Sequence, residues 1–172
     1  MVANVVNKPQ NEAGVCDFFT PGDSVTLRPI TTADLDEIMA IERNCFAYPW
    51  SPGFFRQELQ VACARSILAE VNGQIVGYTL FWLLPDAIDI HNIAVHTDHR
   101  RRGIARLLLS RVVSEARRQS IIRVMLEVRQ SNIPAQKLYE SVGFLNTGIR
   151  KGYYSDNGED ALAMTLELPV ES

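Results

Sequence analysis

The stretch from Ile88 to Arg106 limits what this chain can fold into more than any other. Ile88, Ile90, Ile93 and Val95 are β-branched and read as a buried strand. A short polar turn, His96 to His99, follows. Arg100-x-x-Gly103-x-Ala105 then runs straight into Leu107-Leu108-Leu109, the start of a helix. Strand, tight basic loop and helix N-terminus together make a phosphate site: the first-turn N–H groups are unpaired, and the helix dipole adds roughly half a positive charge there. Gly103 lets the backbone approach a ligand because it has no Cβ, and Ala105 keeps the next turn low. No Gly-Lys-Ser/Thr follows Gly103, and G-x-G-x-x-G is absent, so neither common nucleotide fingerprint is present. On spacing alone the stretch also reads as an ordinary basic helix start after a strand.

The rest of the composition frames that loop. A net charge of −3 argues against a general nucleic-acid binder, which would be basic. Basic residues gather locally between His99 and Arg106 instead, which suits a small phosphorylated ligand. With 172 residues, 47% of them hydrophobic, the chain can bury a core of its own. Residues 1–24 show no sustained period and read as an N-terminal extension, and residues 25–172 as a single domain. Cys16, Cys45 and Cys63 form no C-x-x-C pair, as expected of free thiols in a reducing cytoplasm. No apolar run reaches the ~18 residues of a membrane span, and no basic start leads into an apolar leader. A cytoplasmic protein without membrane contact is expected.

Along the chain, Val25–Ile30 reads as a first strand. Thr31 or Thr32 caps a helix whose inner face carries Leu35, Ile38, Met39 and Cys45 or Phe46. Ser51 caps a second helix with Pro52 in its first turn and Phe54, Phe55 and Leu59 on the buried side. Asn72-Gly73 between two β runs signals a hairpin. A helix from about Ile104 to Gln119 and a strand, Ile122 to Val128, complete a crossover that makes this strand parallel to the Ile88 strand. Pro134 to Val142 is helical and stops at Gly143. Phe144 opens a further strand, and Asp156-Asn157-Gly158 turns the chain into a last one, Ala161 to Leu168.

Arg100-x-x-Gly103-x-Ala105 after Ile93-Ala94-Val95 resembles the acetyl-coenzyme A pyrophosphate loop of GNAT acetyltransferases. Leu126-Glu127-Val128-Arg129-x-Ser131-Asn132, Ala135-x-x-Leu138-Tyr139-x-x-Val142-Gly143-Phe144 and Gly152-Tyr153-Tyr154 are similar to the RimI-type N-terminal acetyltransferases. The resemblance implies an α/β (α+β) fold: a mixed, mostly antiparallel sheet of about six to seven strands with a central parallel pair, flanked by about four helices. It implies acetyl-CoA as cosubstrate, held by Arg100, Arg101, Arg102, Gly103, Ile104, Ala105 and Arg106. Backbone groups of Ile93, Ala94 and Val95 would hold the pantetheine and thioester, and the Asn132 side chain would touch the pantetheine arm. By default Asn132 is a polar helix-start residue.

Acyl transfer to an amine needs an uncharged nucleophile and a proton for the leaving thiolate. An α-amino group, with a pKa of about 7.7–8.0, is mostly protonated at pH 7, so a general base helps. Glu127 is the candidate: a carboxylate near the C-terminal end of a central strand, between buried types, is costly without partners or function. Its structural alternative is an ion pair with Arg123 or Arg129. Tyr139, on the inner face of its helix, is the candidate acid, or else a packed core tyrosine. The resemblance assigns both catalytic roles. It also places Tyr48 and Trp50, between the first two helices, and Tyr153 and Tyr154, before the last strand, around the acceptor, the N-terminus of a ribosomal or nascent protein. A lysine side chain, a small amine, or a non-catalytic acyl-CoA module are the competing readings. His91, His96 and His99 lie within nine residues of one another but on a strand and in a loop, a poor match to a zinc site, so no metal is expected.

Overall fold

The computed structural model describes residues 22–169, so nearly all of the expected extension, with Cys16, lies outside the described residues. The elements are β1 (Val25–Arg28), α1 (Leu35–Cys45), α2 (Pro52–Glu58), β2 (Ala64–Val71), β3 (Gln74–Leu83), β4 (Ala87–Val95), α3 (Ile104–Arg118), β5 (Arg123–Arg129), α4 (Ile133–Val142), β6 (Leu145–Tyr154) and β7 (Glu159–Glu167), with single 3-10 turns at Thr32–Asp34 and Thr97–His99. The seven strands form one mixed sheet in the order β1-β2-β3-β4-β5-β7-β6. β4 and β5 run parallel, with Ala87 opposite Arg123 and Ile90 opposite Leu126, whereas β5–β7 and β6–β7 are antiparallel. This is the implied mixed sheet with a parallel pair and four α-helices. The described residues group into two compact units.

The first unit comprises the described residues up to Leu80 together with Asn92–Leu108. The α1 stripe Leu35, Ile38, Met39 and Ile41 is buried with Ile30, Phe55, Leu68, Ile75, Tyr78, Leu80 and Ala94. Of Cys45 and Phe46, the two alternatives for the inner face of α1, Cys45 packs partly buried against this core and Phe46 is exposed; Phe54, expected on the buried side of α2, is exposed as well. α1 ends at Cys45, and Phe46 is already extended (φ −126°, ψ 137°), which swings it off the helical stripe. On the short α2, Phe55 takes the inward position and Phe54 lies against the Trp50 ring, 4.4 Å between centroids. Ser51 caps α2 by accepting from the Phe54 N–H, and Asn72 and Gly73 both take positive φ, 53° and 79°, in the β2–β3 hairpin. Arg28 clasps Asp34 and Glu70 at 2.7 and 2.6 Å.

The second unit comprises Phe81–His91 and the described residues from Leu109 onward. Along β5, Val124, Leu126 and Val128 are buried while Met125, Glu127 and Arg129 alternate on the other face, half-buried. α4 closes at Gly143 in the left-handed region (φ 107°), where a Cβ would press on the Leu166 side chain at 3.2 Å. Phe144, read as the start of a strand, is instead a buried joint, its ring against that of Tyr139. β6 begins at Leu145 and extends through Tyr154, so Tyr153 and Tyr154 are strand residues rather than loop residues. Register shifts against β7 between Asn146 and Gly148 and between Arg150 and Tyr154 disturb the alternation there.

Candidate functional site

The candidate residues fall into two groups, one in each unit. In the first unit, His96 leaves β4 by donating its N–H to the Val76 carbonyl, 2.8 Å. The loop then passes through Arg101 (φ 60°) and Gly103 (φ 73°), both left-handed, before α3 starts at Ile104. Two left-handed residues two positions apart, directly before a 15-residue helix, are the kind of backbone in which N–H groups can gather around an anion. A pyrophosphate fits such a loop, and the arginines supply counter-charge.

Their side chains are partly committed. Arg100 donates from Nε to the Val95 carbonyl and through its other nitrogen to Cys45 Sγ, each at 3.3 Å. Cys45 Sγ–H donates to the same carbonyl at 3.3 Å. Arg102 pairs with Asp23 at 3.0 Å and meets His99 Nδ1 at 3.2 Å. Arg101 is exposed, and Arg106 and Ala105 are half-buried. β3 lies close to the β4 segment assigned to the pantetheine: a Cβ on Gly77 would stand 2.8 Å from the Ala94 carbonyl and 3.2 Å from Val95 Cγ2. Ile93 and Val95 are half-buried on either side of buried Ala94.

In the second unit, Glu127 lies on the β5 face that also carries Met125, with Asp89 and His91 on the same face of β4. Its ion pair is with Arg150, Nε to Oε1 at 2.7 Å, not with either arginine the sequence suggested. Arg129 turns to Asp156 and Glu159 at 2.7 and 3.0 Å, and Arg123 to Asp86. Arg150 reaches Glu127 because the residues between them are small: Glu127 stands opposite Ala163 on β7, which stands opposite Gly148 on β6. Burial raises the Glu127 carboxyl above its ordinary range; Arg150 pulls it back, Asp89 raises it further and His91 lowers it.

Tyr139 is almost fully buried, and burial, with the Tyr154 hydroxyl next, pushes its phenol up, so it stays protonated across neutral pH. Tyr154 is half-buried with the Arg129 guanidinium stacked 3.8 Å over its ring. Its hydroxyl is pushed up to about 12, by burial above all. Tyr153 is exposed and meets Tyr154 edge-on. Asn132 acts as the cap of α4, its Oδ1 accepting from the Ala135 N–H at 3.2 Å. Tyr48, in the first unit, is exposed, and Trp50 is half-buried against Phe54 and Phe55.

Two charged residues escaped the sequence reading. Arg150 carried no signal, because only the β5-β7-β6 register places it beside Glu127. Glu42 did carry one: it falls at i+4 from Ile38 and i+3 from Met39, on the apolar stripe of α1, and it is fully buried. His91 packs against Trp82 and lies 3.5 Å from Asp89. Among the described residues no three His, Cys, Asp or Glu side chains group as metal ligands, and no helix is long and apolar enough to cross a membrane.

Comparison with known proteins adds an independent line. Residues 35–144 match the model of the acetyltransferase (GNAT) family. Similar proteins include one from Bacillus subtilis (strain 168), 37% identical over 143 residues, covering 83% of this chain and 95% of that protein. The [ribosomal protein bS18]-alanine N-acetyltransferase of Escherichia coli (strain K12) is 34% identical over 147 residues, covering 84% and 99%. The crystal structure of the ribosomal-protein-S18-alanine N-acetyltransferase from Escherichia coli superposes with a TM-score of 0.79 at 33% identity, covering 86% of this chain and 96% of that one. The mixed sheet, the glycine-turned basic loop leading into α3 and these likenesses agree: the chain belongs to the GNAT family of acetyltransferases.

Proposed function

We propose that this enzyme transfers the acetyl group of acetyl-CoA to the N-terminal α-amino group of a protein, a ribosomal protein or a nascent chain, in the cytoplasm, with residues 25–172 as the catalytic domain. The observation that carries the reading furthest is the half-buried Glu127 carboxylate, raised above its ordinary range on a sheet face shared with Asp89 and His91. A base whose pKa moves toward that of the amine shares its proton more readily, and each unit of mismatch removed is worth about tenfold in the equilibrium. The likeness to enzymes named for N-terminal alanine acetylation supports the choice of acceptor.

In this reading the backbone of Arg101–Ala105, with Arg100, Arg102 and Arg106, holds the pyrophosphate. Ile93, Ala94 and Val95 pair with the pantetheine arm, and Asn132 adds a side-chain contact. Val95 then exchanges its Arg100 and Cys45 bonds for the coenzyme. Glu127 takes the proton of the ammonium as the amine attacks the thioester carbon. The C–N bond forms, the C–S bond breaks, and the departing sulfur receives the Tyr139 proton. The second proton lost by the nitrogen restores the Tyr139 phenol, so the products are the amide, the CoA thiol and the one proton held by Glu127. The transfer uses no metal. Tyr48, Trp50, Tyr153 and Tyr154 border the acceptor. A polyamine acceptor would draw on Asp89 as a second carboxylate beside Glu127, and this is the one observation that favours a small-molecule substrate.

Short peptides differing in their first two residues should be acetylated, those beginning with Ala among them, while spermidine is a poor substrate. Tyr154→Phe should raise the peptide KM or lower kcat and leave acetyl-CoA affinity unchanged. Efficient acetylation of spermidine with no turnover of any N-terminal peptide would overturn the assignment.

A further inference from the structure

Glu42 is a buried ionisable group with no part in the chemistry above. It sits one turn before the end of α1, fully shielded from solvent. Three donors converge on it. The Trp50 main-chain N–H donates to Oε2 at 2.7 Å. Asn92 Nδ2 donates to Oε1 at 3.0 Å, and the Tyr78 hydroxyl donates to the same oxygen. Asn92 Nδ2 also reaches the Tyr78 oxygen at 3.2 Å, closing the group. Burying a carboxylate costs several kcal/mol unless its lone pairs are met, and here both oxygens are. Only an acceptor on each side of the group satisfies such a ring of donors, and a charged acceptor makes each bond shorter and stronger.

The partners matter because of what they carry. Trp50 closes the connection from α1 to α2, and its N–H ties the main chain of that connection to a buried side chain of the core. Its ring is held in turn by Phe54 and Phe55, and Phe55 is edge-on to Tyr78. Tyr48, two residues earlier, is 65% exposed. Asn92 is the residue before Ile93 on β4, and its own carbonyl accepts from the Thr79 hydroxyl at 2.9 Å.

We infer that Glu42 is a positioning residue for acceptor recognition: its carboxylate pins the main chain at Trp50 and so sets how the Tyr48-Pro49-Trp50 segment meets the acceptor peptide. The inference rests on the assignment of Tyr48 and Trp50 to the acceptor. In Glu42→Gln, the amide keeps its oxygen on Tyr78 and Asn92, because that orientation saves two bonds. Its NH2 then faces the Trp50 N–H, donor against donor, and the segment comes loose.

The test measures peptide KM and kcat, acetyl-CoA affinity by calorimetry, and melting temperature for Glu42→Gln, Tyr78→Phe and Tyr48→Ala. Glu42→Gln should raise the peptide KM about tenfold, the scale of one lost charge-assisted hydrogen bond, with acetyl-CoA affinity unchanged. Tyr78→Phe removes a donor but leaves the Trp50 bond, so its peptide KM should stay near wild type even if it melts earlier. If Tyr48→Ala raises the peptide KM and Glu42→Gln does not, Glu42 is purely structural and the inference is wrong. It is equally wrong if Tyr78→Phe raises the peptide KM as much as Glu42→Gln, because the effect is then general loosening. If neither Tyr48→Ala nor Glu42→Gln moves it, the segment does not meet the acceptor, and the acceptor assignment fails first. Should Glu42→Gln not fold, Glu42→Asp keeps the charge, shortens its reach and carries the same readout.

Discussion

Glu127→Gln should lower turnover at neutral pH by about 10²–10⁴-fold, the range expected when a general base is removed, while calorimetry still shows acetyl-CoA binding. Gln keeps the shape and one acceptor oxygen toward Arg150, so the loss is one of proton affinity rather than packing. It should shrink as pH rises past the α-amino pKa, because the amine then arrives already deprotonated. The charged and titratable groups facing Glu127 are Arg150 and Tyr153 from β6, Tyr154 at the end of that strand, and Asp89 and His91 from β4. Arg150 lowers the Glu127 pKa, so Arg150→Met should move the acid limb of kcat/KM to higher pH. An unchanged rate in Glu127→Gln at pH 7 would remove this carboxylate from the mechanism.

Gly103→Val should abolish measurable acetyl-CoA binding in a protein that still melts cooperatively. Gly103 sits at φ 73°, where a β-branched residue is strained by about 1–3 kcal/mol. That is less than the roughly 5–15 kcal/mol of a typical folded domain, so the chain should stay folded. The loop is less tolerant. Relieving the strain turns the backbone out of the left-handed region and rotates the N–H groups away from the anion, and the branched side chain fills the approach left open by glycine. Tight binding by calorimetry in this variant would mean that the loop is not the pyrophosphate site.

The legible parts of the fold were those set by local chemistry. Asn72-Gly73 fixed its hairpin because few residue pairs take two consecutive positive φ angles. Ser51-Pro52 and Gly143 fixed helix ends, and alternation along β5 showed which face of that strand is buried. Cys45 and Phe46 stayed alternatives because an apolar side chain does not reveal where its helix stops, and Phe54 was misplaced because two adjacent aromatics on a short helix do not reveal which of them faces inward. The partner of Glu127 was out of reach for a different reason: Arg150 lies 23 positions away and meets it only across β7, past Ala163 and Gly148. The candidate catalytic pair, Glu127 and Tyr139, was visible as residues, while their electrostatic surroundings were not.

The two arginine clasps, Arg28 on Asp34 in one unit and Arg129 on Glu159 in the other, bear on how the enzyme meets acid. The Arg28 hydrogen bonds hold Asp34 at about 2. Hydrogen bonds from Ser131, then Arg129, hold Glu159 at about 2 as well. A carboxylate depressed in the folded state lends its full stability above its unfolded pKa and loses it progressively as pH falls toward and through the folded one, while within the folded chain both clasps stay ionised well below pH 4. Glu127 is shifted the opposite way: the folded protein takes up its proton earlier than the unfolded chain does, and that uptake favours the fold. Acid should therefore silence the enzyme before it melts it, leaving an interval in which the chain is intact but idle. A sample quenched in that interval should regain full turnover on return to neutral pH, with an unchanged circular dichroism spectrum throughout. Loss of the spectrum in step with turnover would show that the clasps give way first.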